Sequence, residues 1–123
     1  MRKICVVIVI FLFLSLLACS NYGERPENVR EGVYRLGLEA ISIADDYLDF
    51  RLTARNAIVK LDDLNSRFDE FSDLTSEEMT VSSHLWFTSL ALSYVTWGIG
   101  TYEDVLERRN NLAERLNERA REN

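Results

Sequence analysis

From residue 28 onward the apolar side chains recur every three or four positions, the spacing that gathers them on one face of an α-helix. The first stripe is Val33, Leu36, Ala40, Ile43 and Tyr47, widened by Leu38, Ile41 and Leu48. Asn28 and Glu31 stand at capping-box spacing ahead of it, although Pro26 offers a slightly earlier start. Gly32 and Gly37 each cost about 1 kcal/mol relative to alanine, so this helix depends on packing. A second stripe, Ala57, Leu61, Leu64, Phe68 and Phe71, follows Thr53, a good N-cap, and Phe50-Arg51-Leu52-Thr53 marks the break between the two. The pattern stops again at Ser72 to Ser76, where Thr75 and Glu78 form a capping box. Thr101 and Asp104 repeat that box before a last stripe of Tyr102, Val105, Leu106, Leu112, Leu116 and Ala120.

Between those two boxes the pattern changes. Met79 to Gly100 is a run of 22 residues without Asp, Glu, Lys or Arg, and it carries Trp86, Phe87, Tyr94 and Trp97. His84 and the many Ser and Thr residues make it too polar for a membrane span. A helix buried nearly all round is expected, with Ser82, Ser89, Ser93 and Thr96 permitting close approach and Gly98-Ile99-Gly100 ending it. Helices at 28–50, 53–72, 76–97 and 101–121 are each roughly 30 to 35 Å long at the usual rise per residue. Near-equal rods on short turns predict an all-α fold, a small antiparallel up-down-up-down four-helix bundle with the uncharged third helix most central. Three helices, one long and bent, are the alternative, and no strand pattern competes.

The N-terminus follows different rules. Met1-Arg2-Lys3 is cationic, and Ile4 to Leu17 is an uncharged apolar run of 14 residues. A bilayer span needs roughly 20 such residues and a secretory leader only about 7 to 15, so length favours an export signal. The run closes on Leu16-Leu17-Ala18-Cys19, with a small residue directly before the cysteine. Over about its first 20 residues the chain therefore resembles the precursors of bacterial lipoproteins. That resemblance implies recognition of Leu16, Leu17 and Ala18 by signal peptidase II, cleavage before Cys19, and acyl chains on Cys19. It also implies export, and Ser20 after the cysteine implies the outer membrane if the host has two membranes. The alternatives are a conventional cleaved signal with an incidental thiol, or an uncleaved anchor. Residues 1–18 are then the signal peptide, 19–28 the lipidated end and a polar tether, and 29–123 the helical bundle. The nine residues Ser20 to Asn28 would reach about 30 Å.

Charge narrows the partners. Without Arg2 and Lys3 the chain holds 12 basic and 20 acidic residues, a net charge of −8. Such a surface argues against nucleic acid and against electrostatic adhesion to anionic lipid, which leaves the membrane, through lipid on Cys19, and an unidentified envelope protein as expected partners. The only other cysteine, Cys5, lies in the leader, so the folded part has neither a disulfide nor a thiolate metal site. Eleven of the 12 remaining cations are arginine, Lys60 being the exception.

Candidate chemistry is sparse. His84 could pair with Glu77 or Glu78 near the start of the third helix, but no metal-ligand spacing surrounds it. The acidic clusters Asp45-Asp46-Asp49, Asp62-Asp63 and Asp69-Glu70-Asp73 lie within helical periodicity and read as solvated faces. An EF-hand register from Asp63 fails, with Arg67 where an oxygen ligand is needed and Phe68 where glycine is. No nucleophile has an identifiable base and no glycine loop cradles phosphate, so neither a cofactor nor an enzymatic activity is expected, and a small envelope hydrolase is the remotest alternative. Trp86, Leu90, Ser93 and Trp97 recur at offsets of 4, 7 and 11, on one side of the third helix. Burial in the core is the expectation, because large aromatics stabilise a small domain without disulfides. The alternative is an interaction surface, either for a partner helix or as a groove carrying a hydrophobic ligand. The function these readings favour is a lipid-anchored, non-catalytic accessory module at the cell envelope.

Overall fold

The computed structural model describes residues 22–122. The signal peptide, the Leu16-Leu17-Ala18 recognition segment and Cys19 lie outside the described residues. Within them all regular structure is helical: α1 Glu31–Leu48, α2 Ala54–Phe68, α3 Ser76–Thr96 and α4 Tyr102–Arg115. The break at residues 49–53 is real, so the described residues form four helices and not three. Arg30 at the head of α1 meets Glu78 at the head of α3, and Phe50 just past α1 stacks on Tyr102 at the start of α4. The helices therefore alternate in direction. Each packs on its chain neighbours, α4 closes the ring onto α1, and α1 and α3 also touch across the middle.

The core is aliphatic apart from the buried Phe68 ring. Val33, Leu36, Ala40, Ile43 and Leu48 of α1 meet Leu61 and Leu64 of α2, Val81, Leu85 and Leu92 of α3, and Val105 and Leu112 of α4. Three of the four expected N-caps form. Thr53 accepts from the Asn56 amide, and Thr75 with Glu78 and Thr101 with Asp104 complete reciprocal boxes. The exception is α1. Asn28 sits at φ +63°, the left-handed region, whereas a capping residue needs an extended backbone, and Arg30 takes the N-cap position without a side-chain bond. The two glycines of α1 have a packing reason. A Cβ on Gly37 would lie 2.5 Å from Leu116 Cδ1 and one on Gly32 2.7 Å from Phe71 Cζ, so both let neighbours close on the helix. Gly98, at φ +77°, lets the chain leave α3 as expected.

Both ends of the chain depart from expectation. The segment read as a free tether is tied down from Gly23 onward: its amide donates to Asn117 O at 2.8 Å, its carbonyl accepts from Tyr34 Oη, and Val29 is buried. At the other end α4 stops at Arg115 and not near residue 121. Asn117 adopts φ +55° and residues 117–122 turn back along α4. There Arg109 Nη1 donates to Arg119 O, while Asn110 donates to Arg121 O and accepts from its amide. Ala120, expected in the core, is exposed.

Candidate interaction face on the third helix

Two sets of apolar residues run down α3 with the same spacing. Val81, Leu85, Thr88 and Leu92 point into the bundle and are fully buried. Trp86, Leu90, Ser93 and Trp97 occupy the other side, with Trp86 53% and Trp97 65% exposed. The expectation that the tryptophans are core is thus overturned, and so is the helix buried nearly all round. Periodicity gathers residues on a face without saying which face turns inward, and the three neighbouring helices already fill the interior with aliphatic side chains. Met79 and Tyr94 extend the outer stripe, both exposed. From Met79 to Trp97 it runs about 27 Å at the helical rise.

The aromatics on this stripe pair locally. The Trp86 ring meets Phe87 edge-on at 5.4 Å between centroids, and Tyr94 is tilted against Trp97 at 5.6 Å. Arg108 of α4 covers Phe87 from 5.2 Å, a cation–π contact. A cleft of about 210 Å³ beside the stripe is lined by Phe87, Leu90, Ala91, Tyr94, Asp104, Glu107 and Arg108. Neither tryptophan lines it, so it is not the groove bordered by Trp86 and Trp97 that a ligand carrier would need. Because Trp86 and Trp97 stay more than half exposed, Trp86→Ala and Trp97→Ala should each cost no more than about 1.5 kcal/mol by urea denaturation, against roughly 3 to 5 kcal/mol for a core aromatic. A larger loss would mean that the stripe packs against the bundle after all.

The hydroxyls of α3 are spent on its own backbone. Ser83 donates to Met79 O, Thr88 to His84 O, Ser93 to Ser89 O and Thr96 to Ser93 O, all between 2.7 and 3.1 Å. This back-bonding explains how Thr88 is buried without a partner on another helix. Ser89 reaches across to Asp62 of α2 at 3.4 Å.

The other candidate residues are drawn elsewhere. Glu78 is fully buried and accepts from Arg30 Nε at 2.9 Å, Arg30 Nη2 at 3.1 Å and the Thr75 amide at 3.0 Å. Arg30, with those backbone donors, holds the Glu78 carboxyl down to about 2 against the burial that opposes it. The sequence marks Glu78 as a cap and as a candidate partner of His84, and its spacing to Arg30 gives no sign of the ion pair. Glu77 accepts from Ser76, so neither carboxylate is bonded to His84. The His84 Nδ1 is buried without a hydrogen-bond partner, and burial, then the nearby Arg115 and Arg108, lowers the imidazole pKa below its ordinary value. Of the acidic clusters, Asp45 pairs with Arg109 and Arg121, Asp49 with Arg121 and Arg51, and Asp63 with Arg67. Among the described residues no group of three His, Cys, Asp or Glu side chains is placed to hold a metal ion. No helix of the described residues is long and apolar enough to cross a membrane. No protein-family model, curated protein or solved structure matches the chain.

Proposed function

We propose that this chain is a lipid-anchored bacterial envelope protein whose helical bundle serves as a non-catalytic interaction module on the extracytoplasmic side. The observation that carries the reading is the order of the leader: a cationic start, 14 uncharged apolar residues, then Leu16-Leu17-Ala18-Cys19. Acyl chains on Cys19 would confine the bundle to the membrane surface and raise its effective concentration toward partners there. The uncharged outer face of α3 supports a role in contact with another surface, protein or lipid. It is the part of a strongly acidic molecule on which apolar contact meets no charge to desolvate.

Fractionation tests the anchor. Wild-type protein made in a bacterial host should sediment with membranes, resist high salt and be released by detergent. Cys19→Ala should lose that mature membrane form, leaving either soluble protein or precursor with its leader attached. Wild-type protein recovered processed and soluble would remove the proposal.

A further inference from the structure

We infer that the outer face of α3 lies against the lipid headgroup region of the bilayer to which the chain is anchored. The inference rests on the anchor proposed above and adds which surface of the bundle meets the membrane. Three observations converge on a lipid surface. The stripe of Met79, Trp86, Leu90, Tyr94 and Trp97 lies within the 22-residue run that lacks Asp, Glu, Lys and Arg, and its aromatics combine an apolar body with one polar tip, the combination that settles at membrane interfaces. The hydroxyls beside it, Ser83 and Ser93, already donate to carbonyls of α3 at 2.9 and 3.1 Å, so they leave water with their donors satisfied.

Chain geometry supplies the third. Gly23 is bonded to Asn117, which leaves Ser20, Asn21 and Tyr22 between Cys19 and the fixed bundle, a reach of about 10 Å. The N-terminal segment enters at the end where α3 begins, with Pro26 lining one cleft with Ser76 and Thr80 of α3. The stripe therefore starts, at Met79, at the same end of the bundle where the chain comes in. So short a link keeps the bundle against the surface, where the expected nine-residue tether would have held it away.

A second copy of the chain is the main competitor, and area decides against it. A stripe about 27 Å long on a helix about 10 Å across offers on the order of 300 Å², well short of the roughly 800 Å² per partner of a stable interface. A tethered contact with lipid has no such threshold, because the anchor supplies the local concentration. The net charge of −8 favours a zwitterionic surface over an anionic one.

Trp86 and Trp97 are the only tryptophans, so all tryptophan emission reports on the stripe. The test uses the full chain in phosphatidylcholine vesicles, as membrane-extracted wild type and as Cys19→Ala, with intact mass read on each preparation. Replacing the lipid with acyl-brominated phosphatidylcholine should lower emission about two-fold or more, in Trp86→Phe and in Trp97→Phe alike. Emission quenched by aqueous iodide and untouched by bromine would overturn the assignment, as would emission that shifts on dilution without bromine quenching, the mark of a second copy. Quenching of one tryptophan alone would overturn flat seating. The mass separately decides the anchor: bromine quenching with no lipid on Cys19 would keep the face and remove the anchor, and lipid without quenching would do the reverse.

Discussion

Glu78→Ala should cost about 3 kcal/mol of folding stability, more than its place in a capping box suggests. The carboxylate has no solvent exposure and joins three parts of the chain: the Arg30 guanidinium and amide at the head of α1, the Thr75 amide at the head of α3 and, through Arg30, the Ser72 carbonyl between α2 and α3. Arg30 also lies over the Phe71 ring at 5.3 Å. Removing the carboxylate leaves the Thr75 amide and the Arg30 amide without their acceptor and empties a buried site, while the half-exposed Arg30 guanidinium turns to water. Acid provides a second reading. The Glu78 carboxyl titrates near 2 in the folded protein against an ordinary 4.5, so its contribution is complete above about pH 4.5 and is lost as pH falls toward 2. Urea midpoints across that window should fall less steeply for Glu78→Gln than for wild type. Parallel curves would mean that the ion pair contributes nothing to acid stability.

Arg109→Met should release the C-terminal segment and lower stability by about 2 kcal/mol. Arg109 is nearly buried, and its guanidinium grips Asp45 of α1 through two nitrogens at 2.9 and 3.2 Å while donating to Arg119 O at 2.8 Å. Methionine keeps the stem's packing and removes every one of these bonds. Amide exchange at Arg121, whose N–H donates to Asn110 Oδ1, should rise well before global unfolding, and trypsin should cut after Arg119 or Arg121 faster than in wild type. Protection equal to wild type would show that Asn110 and Arg121 suffice to hold the segment. The preference for arginine, unexplained by sequence alone, has a partial account here. Arg30 and Arg109 both use the guanidinium fork to serve a carboxylate and a backbone carbonyl together, which a lysine ammonium does less well.

What could be read from sequence was local. Thr53, Thr75 with Glu78, and Thr101 with Asp104 cap as expected because a cap needs only its own next three residues. The stripes of α1, α2 and α4 were legible because each has one apolar face. On α3 two apolar faces share one spacing, so the choice between Leu85 and Trp86 belonged to the neighbouring helices. The early end of α4 was hidden for a similar reason. Leu112 and Leu116 continue the helical period, while the turn at Asn117 and the return of the chain depend on Arg109, Asn110 and Asp45, as many as 76 positions away in sequence. The docked N-terminus was equally nonlocal, since Gly23 and Glu24 find their partner in Asn117.

The anchor is the centre of this account, and the intact mass of membrane-extracted protein, wild type beside Cys19→Ala, tests it most directly. The wild-type chain should begin at Cys19 and carry the added mass of a diacylglycerol, with or without a third acyl chain on its amino group. The variant should show neither that start nor that mass. Wild-type protein retaining residues 1–18, or beginning elsewhere with an unmodified cysteine, would contradict the anchor.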